Sequence, residues 1–499
     1  MDLISNLALG FQHAFSIESL LYCFLGVLLG TFIGVLPGIG SLAAVAMLLP
    51  ISYHLEPLSA LVMLAGVYYG SEYGGSTASI LLNLPGSPSS AVTCLDGYPM
   101  AKQGRAGIAL FTTTAASFVG AVIGIILLAA FAGPLASVAN SFGAAEFFAI
   151  MLLGLIAAAT IGRSSPIKGV SMVFAGMLLG CVGTDLNTGV DRFTFGIFEL
   201  FDGISIVALA MGLFGFTEII ASVYNPHGAA DGKVTLRSML PTRNDVRAAR
   251  MPVLRGSLIG STLGVLPGTG QTIASFMSYA VEKRIARQPE RFGKGAIEGI
   301  ASPEAANNAA TQTAFIPTLT MGIPGSATMA LMLGALMMHG IAPGKQMLTV
   351  HPEVFWGLVA SFCIGNVILV VLNIPMIGVW VRLLRIPYQY LYPAIVILIC
   401  IGVYSVSNSV FDVYAAVGLG IVGYAMRLTG LEPAPLLIGF VLGPMVEENF
   451  RRAMVLGGGD PLTLFRSPIA ASLLALTFVL LGWALWASTR RSAESLAAG

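Results

Sequence analysis

Two glutamates, Glu72 and Glu304, lie inside strongly apolar stretches of this 499-residue chain, at equivalent places in two similar motifs. An ionisable side chain at membrane depth is energetically costly and usually serves a function there. Each carboxylate could carry a proton or bind Na⁺ during transport. Each could instead cap the free N–H groups of an interrupted helix, because Pro303 is typical of the first turn of a helix. The residues leave both interpretations open.

Uncharged polar residues cluster near each glutamate, ahead of a Pro-Gly pair. A helix broken by such a pair leaves N–H groups that attract a carboxylate and carbonyl groups that attract a cation. The clusters therefore predict a ligand site, although Gly, Ser and Thr can also simply let helices pack closely. The predicted substrate-binding residues are Ser41, Ser76, Thr77, Asn83, Thr269, Gln271, Asn307, Asn308 and Thr311. The predicted ion-coupling residues are Pro37, Gly38, Pro267, Gly268, Glu72 and Glu304.

The two motifs belong to an internal repeat, since matching segments occur in the same order in both halves of the chain. Paired Gly/Pro breaks in two inverted halves are the sequence feature that best locates the midplane site of a secondary transporter. The matches are GTFIGVLPGIG at 30–40 with GSTLGVLPGTG at 260–270, GSEYGGS at 70–76 with SPEAANN at 302–308, LPGS at 84–87 with IPGS at 323–326, and KQ at 102–103 with KQ at 345–346.

The elements that position these residues must be membrane helices. The chain is 56% hydrophobic and 10% charged, with a mean hydropathy of +0.85, whereas a soluble domain carries roughly 25% charged residues. This composition excludes a soluble enzyme, a disordered chain and a nucleic-acid binder. The five cysteines form no CxxC pair, so we interpret them as small hydrophobic residues. The predicted fold is an all-α polytopic membrane protein with about 10–12 transmembrane segments of about 20 residues each.

The charges assign a side of the membrane to each loop. Basic segments at 102–105, 163–168 and 225–255 alternate with a segment without lysine or arginine at 134–145 and an acidic segment at 185–202. The positive-inside rule therefore places the basic segments in the cytoplasm. Arginines and lysines also follow residue 281, so the chain from 256 to 281 must enter the membrane and return. Its Pro-Gly interruption then indicates a re-entrant helical hairpin, which protein or a water-filled cavity must surround.

The first hairpin has flanks without basic residues and should open from the outside, so the repeat is predicted to be inverted. The scheme also places Arg451 and Arg452 outside, where the positive-inside rule does not expect them. Either the scheme is wrong at this point, or Glu447 and Glu448 pair with the two arginines. The predicted organisation is a first inverted repeat at 1–224 (hairpin 20–52, broken-helix motif 66–95, four spans), a cytoplasmic linker at 225–255, a second inverted repeat at 256–450 (hairpin 256–281, broken-helix motif 296–345, four spans), and an extra C-terminal span with a tail at 451–499.

Motifs of enzymes and pumps are missing from the sequence. It has no HExxH, GxSxG or Walker loop, which the corresponding chemistries require. We therefore expect no enzymatic activity, no cofactor and no metal site. Without a nucleotide-binding motif, transport should draw on a gradient of Na⁺ or H⁺.

Five longer strings resemble the large membrane subunit of the tripartite tricarboxylate transporters, and the resemblance covers essentially the full length. One departure is that the family often has a glutamate after the Pro-Gly pair at 85–86, where this chain has Ser87. The strings are GVLPGIG at 34–40, YYGSEYGGSTASILLNLPG at 68–86, DGYPMAKQG at 96–104, TGVDRFTFG at 188–196 and PEAANNAA at 303–310.

The resemblance implies a multi-pass protein of the bacterial inner membrane. It implies two partners, a small membrane subunit with about four membrane-spanning helices and a periplasmic solute-binding protein that delivers carboxylates such as citrate. The expected function is import of a tricarboxylate or a related small carboxylate with Na⁺ or H⁺. The alternatives are a channel or exporter for small organic anions that needs no binding protein, and an intramembrane enzyme.

Overall fold

The computed structural model describes residues 3–36, 39–140, 142–161, 165–185, 188–223, 234–266, 270–384 and 388–497. The helices of the first half are α1 (Leu3–Ala14), α2 (Ile17–Val35), α3 (Gly40–Ser52), α4 (Pro57–Leu82), α5 (Ala91–Met100), α6 (Ala106–Asn140), α7 (Ala144–Ile161), α8 (Pro166–Gly180), α9 (Ile206–Ala210) and α10 (Thr217–Val223). Two π-helical turns, Ala101–Arg105 and Met211–Phe216, join α5 to α6 and α9 to α10.

The second half is also helical. Its helices are α11 (Arg243–Val265), α12 (Gly270–Ile285), α13 (Glu298–Thr313), α14 (Phe315–Met321), α15 (Ala327–Met338), α16 (Lys345–Thr349), α17 (Pro352–Asn373), α18 (Ile377–Leu383), α19 (Tyr388–Ser407), α20 (Val410–Leu428), α21 (Pro433–Leu456), α22 (Thr463–Arg466) and α23 (Pro468–Ala497). Short strands β1 (Gly183–Thr184) and β2 (Asp191–Arg192) pair antiparallel between α8 and α9.

The predicted fold class is confirmed: the protein is an all-α polytopic membrane protein. Among the described residues, four helical segments are long and apolar enough to cross a membrane, judged by length and composition. Seven shorter apolar helices of 10–17 residues accompany them. Helices that are apolar on every side, as most of these are, suit either lipid or the interior of a helical bundle.

Stripes of glycine bring each glutamate-bearing helix against a hairpin helix. A Cβ at Gly34 of α2 would lie 2.2 Å from the carbonyl oxygen of Ser71 in α4. A Cβ at Gly260 of α11 would lie 2.1 Å from the carbonyl oxygen of Ala306 in α13. Only glycine permits such close backbone contact between membrane helices. The stripes are Gly26, Gly30 and Gly34 on α2, and Gly256, Gly260 and Gly264 on α11.

This duplicated packing supports a division of the chain into two related halves, each with a hairpin and a glutamate-bearing helix. The hairpins are α2 with α3 and α11 with α12. Their tips, which include the predicted ion-coupling residues Pro37, Gly38, Pro267 and Gly268 and the predicted substrate ligand Thr269, lie outside the described residues. The opposite orientation of the two halves remains a prediction.

The second hairpin begins earlier than the charge pattern predicts. Helix α11 starts at Arg243, inside the segment 225–255 that the sequence assigns to a linker. A capping box explains this start: Thr242 Oγ1 accepts the N–H of Asp245, and Asp245 Oδ2 accepts the N–H of Thr242, which satisfies two free donors of the first turn. Arg105 also pairs with Asp245 at 2.5 Å, so the basic turn after α5 and the start of α11 lie on one side.

Arg451 and Arg452, the two residues that do not fit the charge pattern, pair with acids, which agrees with one of the two explanations given for them. Arg451 lies 2.6 Å from Glu447, and Arg452 lies 2.6 Å from Glu448. Arg451 also contacts Asp185 at 2.9 Å, so the end of α21 lies beside the acidic loop after α8. The two arginines are therefore compatible with the outer side that the scheme assigns to this loop.

Single-cysteine labelling tests the inverted arrangement. On a background without the five native cysteines, we expect an impermeant reagent to label positions 139 and 191 from outside, and positions 243 and 287 only from inside. The physical reason is that a re-entrant hairpin returns to the side from which it entered. Labelling of positions 243 and 287 from opposite faces would show that α11 and α12 together cross the membrane and that the repeat is not inverted.

Candidate functional site

The helices that carry the two glutamates are broken shortly after them. Helix α4, which carries Glu72, ends at Asn83, which adopts a left-handed conformation with φ of 57°. Helix α13, which carries Glu304, is followed directly by α14, and α14 ends at Gly322 with φ of 70°. Each break contains one of the repeated Pro-Gly pairs. Glu72 is 0% exposed and Glu304 is 1% exposed, so both carboxylates depend on protein partners in place of water.

Glu72 is surrounded by hydrogen-bond donors from both halves of the chain. Its Oε2 accepts from Ser89 Oγ at 2.5 Å, from Ser87 Oγ at 3.1 Å and from Asn307 Nδ2 at 3.0 Å. Its Oε1 accepts from Gln271 Nε2 at 3.3 Å. Four donors match the acceptor capacity of an ionised carboxylate. The predicted site residues Gln271 and Asn307 thus converge on this predicted ion-coupling residue.

Tyr68 fixes the orientation of Gln271. Its hydroxyl donates to Gln271 Oε1 at 3.1 Å, which leaves the amide nitrogen of Gln271 to face Glu72. Tyr68 is fully buried and stacks near Phe315, with ring centroids 6.3 Å apart. The first turn of α12 is therefore attached to α4 through a tyrosine that the sequence did not single out.

Two close hydrogen bonds reach Glu304, and both come from the first half, as does Ser76, which also interacts with this carboxylate. Thr93 Oγ1 donates to its Oε1, and Ser117 Oγ donates to its Oε2 at 3.3 Å. Asn308 Nδ2 donates in turn to Ser117 Oγ at 2.7 Å and to the carbonyl oxygen of Glu304 at 3.1 Å. The predicted ligand Asn308 thus lies in the hydrogen-bonded chain that ends on Glu304, and the carboxylate retains free acceptor capacity.

Several buried polar atoms around the glutamates have no hydrogen-bond partner. Burying such an atom without a partner costs about 1–3 kcal/mol, and native proteins retain few of them without a reason. Most of the unpaired atoms are oxygens, which are the atoms that hard cations such as Na⁺ prefer. Within the described part of the chain, the unpaired atoms on α13 are Asn307 Oδ1, Asn308 Oδ1, Gln312 Oε1 and Gln312 Nε2.

The other predicted substrate residues contact neither carboxylate through a described hydrogen bond. Thr77 is buried on α4, and Ser41 is buried in the first turn of α3. Thr311 Oγ1 donates to the carbonyl oxygen of Asn307 at 2.9 Å within its own helix. Asn83 is exposed at the helix break. Their part in binding therefore stays a prediction.

The capping alternative that Pro303 suggested for Glu304 does not fit the structure. Helix α13 begins at Glu298, and Pro303 lies in its interior. Since Glu304 is then in the second turn, it does not cap the start of this helix. The carboxylates of Glu72 and Glu304 bond to side chains instead.

Asp96 sets the start of α13, and the sequence analysis missed it. Its Oδ1 accepts the N–H groups of Gly293, Gly295 and Ala296 at 2.8–2.9 Å, and its Oδ2 accepts from Tyr279 at 2.9 Å. These bonds hold the turn before α13 against α5. The sequence does mark this residue, since Asp96 is the one acid between Glu72 and Glu146 and opens the string DGYPMAKQG at 96–104.

Comparison with known proteins gives a family and two relatives. The profile of the tripartite tricarboxylate transporter TctA family matches residues 20–438. The chain is 50% identical over 496 residues, 99% of each sequence, to an uncharacterized 52.8 kDa protein in the TAR-I ttuC' 3' region of Agrobacterium vitis. It is 54% identical over 237 residues to an uncharacterized protein in the TAR-II ttuC' 3' region of that organism, which is 48% of this chain and 98% of the relative.

No solved structure matches the chain significantly. The family match includes both glutamates and both Pro-Gly breaks, so the residues of the candidate site fall inside it. The resemblance that the sequence strings indicated is confirmed, and the chain belongs to the tripartite tricarboxylate transporter TctA family.

Proposed function

We propose that this chain is the translocating subunit of a secondary transporter in the bacterial inner membrane. It imports a tricarboxylate or a related small carboxylate, driven by a Na⁺ or H⁺ gradient. A periplasmic solute-binding protein supplies the substrate, and a small membrane subunit completes the complex. Family membership supports transport over catalysis. The observation that carries the proposal is the pair of buried glutamates, each hydrogen-bonded by residues of the other half.

Burial of the site supports alternating access over a channel. A permanent aqueous pore would wet the polar groups that line it, yet both carboxylates and both asparagines of α13 are buried. Broken helices from two inverted repeats can expose one central site to each side in turn, because one block rocks or slides against the rest. The contacts between the halves then break and form again in each cycle.

Electrostatics gives a reason for coupling. A carboxylate substrate that approaches Glu72 and Glu304 meets two groups of its own charge, and like charges repel strongly in a medium of low polarity. A Na⁺ ion or a proton at the site removes that repulsion, so the substrate and the cation bind best together. An ion that favours the loaded state in this way can drive transport, whereas one with equal affinity for all states cannot.

Glu304 is the better candidate for the group that takes the cation. It accepts two side-chain hydrogen bonds, whereas Glu72 accepts four. One helical turn beyond Glu304, Asn308 presents a buried oxygen without a partner. The carboxylate oxygens of Glu304 and this amide oxygen of Asn308 are the hard ligands that Na⁺ prefers. Glu72 then acts mainly as the fixed acceptor that joins α4 to Gln271 and Asn307.

Uptake by proteoliposomes tests the proposed function. With the small subunit present and a Na⁺ or H⁺ gradient imposed, we expect accumulation of the carboxylate only after the purified solute-binding protein is added outside. Liposomes without the gradient serve as the control and should show no accumulation. Passive flux in both directions without binding protein or gradient would instead identify a channel, and outward accumulation would identify an exporter.

Substitution of each glutamate by glutamine tests the coupling role. We expect Glu304→Gln to reduce gradient-driven accumulation by about tenfold or more, because loss of a charge-assisted contact costs about 1.5–3 kcal/mol. Exchange of labelled substrate at equal concentrations should survive better, since glutamine mimics a protonated carboxyl. Glu290→Gln, an exposed glutamate between α12 and α13, is the matched control.

The variants Glu72→Gln and Glu304→Gln also show whether Na⁺ or H⁺ is the coupling ion. Loss of Na⁺ dependence at fixed pH indicates a sodium site at Glu304, and loss of pH dependence at fixed Na⁺ indicates proton transfer. Ion-driven uptake that survives both Glu72→Gln and Glu304→Gln would eliminate the carboxylates as obligatory carriers. The backbone carbonyls near Pro37 and Pro267 would then be the remaining candidates.

Alanine substitutions test the polar cluster. We expect Asn308→Ala and Thr77→Ala each to weaken substrate affinity roughly 5- to 150-fold, since a buried partner lost from a ligand site costs about 1–3 kcal/mol. Asn373→Ala is the control, because this buried asparagine bonds to the carbonyl oxygen of Leu369 in its own helix α17. Affinity is measured by uptake against substrate concentration. Unchanged affinity in both site variants would mean that the cluster only packs helices.

A further inference from the structure

The loop between α8 and α9 exposes a group of large apolar side chains. The exposed fractions are 59% for Val190, 53% for Phe193, 85% for Phe195 and 79% for Phe198. We call these four residues the aromatic loop surface. Exposed side chains of this size give up the free energy that burial would release, and clustered exposed apolar residues mark interaction sites in folded proteins.

The backbone of this loop is also strained. Phe193 has φ of 54° and Phe195 has φ of 52°, a left-handed conformation that bulky residues rarely adopt. Strain of this kind persists where the surrounding structure enforces it, and it concentrates at functional sites. In this loop the strained residues carry large rings that are half or more exposed, so the chain itself gains little packing from them.

Hydrogen bonds and ion pairs hold the loop rigidly. Strands β1 and β2 pair, and the N–H of Thr184 donates to the carbonyl oxygen of Phe201 at 2.8 Å. Arg192 pairs with Glu447 of α21 at 2.8 Å, and Arg451 of α21 reaches Asp185 at 2.9 Å. A rigid aromatic surface loses little conformational entropy when a partner covers it.

The charge around the aromatic loop surface is negative. Asp191, Glu199 and Asp202 are exposed in the same loop, whereas the positive charge of Arg192 is taken up by Glu447 and Asp185. Acidic groups are repelled by the anionic headgroups of a bilayer. They are complementary to a soluble protein that presents basic residues around an apolar pocket.

We propose that the aromatic loop surface docks the soluble protein that delivers the substrate, through an apolar pocket with a basic rim. The identity of this partner rests on the proposed function, whereas the docking surface rests on the loop itself. The loop follows α8 on the side that the charge pattern assigns to the periplasm. Its small area suits a transient complex, which must form and separate in every transport cycle.

Binding measured directly on the full transporter tests the proposal. The full chain with its small subunit is placed in nanodiscs of neutral lipid, and the purified solute-binding protein of the proposed system is titrated with its ligand bound. We expect the double variant Phe195→Ser with Phe198→Ser to weaken binding by about tenfold or more, as loss of central aromatic anchors does at interfaces. Leu462→Ser, whose side chain is 67% exposed in the loop after α21, is the matched control and should bind normally.

A glycine variant separates docking from folding. Phe195→Gly removes the ring and relieves the left-handed strain, so its thermal unfolding temperature should equal or exceed that of the wild type while binding is lost. If Phe195→Gly binds as tightly as the wild type, the ring does not contact the partner and the proposal is wrong.

Substitution of the acidic residues gives a second test of docking. Glu199→Gln with Asp202→Asn should slow association and flatten its dependence on salt, because rim charges act mainly on the association rate. Association with unchanged rate and salt dependence would contradict the basic rim.

Failure of this proposal can be told apart from failure of the proposed function. Carboxylate uptake that needs no binding protein would overturn the delivery role, whereas the binding titration reports on docking without any transport. The bilayer is the competing occupant of the surface. Quenching of a Phe195→Trp variant by brominated lipid, together with normal binding by the double serine variant, would assign the surface to the membrane and overturn docking.

Discussion

The structure depends on the cost of placing two carboxylates inside an apolar helical bundle. An isolated ionised carboxylate away from water is unstable by far more than a protein's total stability unless donors or cations surround it. Neither half of the chain supplies all of these donors alone. Glu72 takes two of its four donors, Gln271 and Asn307, from the second half, and Glu304 takes its two, Thr93 and Ser117, from the first. The halves must therefore assemble for either charge to be accommodated.

Such exchanged contacts require helices that approach closely and loops that hold them in register. The glycine stripes on α2 and α11 supply the first requirement, because a Cβ at Gly34 or Gly260 would overlap the backbone of the glutamate-bearing helix. Asp96 supplies the second, since three N–H groups before α13 converge on one of its oxygens. A buried aspartate with this many donors is fully satisfied, so it anchors the second half to the first.

The repeat and the apolar composition were sufficient to predict the helical membrane fold. They also singled out both glutamates, Gln271 and Asn307, and the structure brings the last two against Glu72, while the function of these residues stays a prediction. Local patterns could not predict Tyr68, Ser87, Ser89, Thr93 or Ser117, because each meets its carboxylate or amide through tertiary contacts that no spacing rule encodes. The interpretation that Pro303 lies in the first turn of a helix failed for a related reason. Proline favours a first turn locally, yet the helix start at Glu298 is set by Asp96, about two hundred residues earlier in the chain.

The location of the aromatic loop surface has a mechanical consequence under the proposed function. The loop is tied to α21, and α21 packs against α8 so closely that a Cβ at Gly439 would lie 2.2 Å from the carbonyl oxygen of Val173. The glutamates instead lie on α4 and α13, which pack against the hairpin helices. A partner docked on the loop beside α8 and α21 does not have to follow the hairpins as they move. Delivery and translocation can therefore proceed on separate parts of the protein, and release of the empty partner need not wait for the site to return outward.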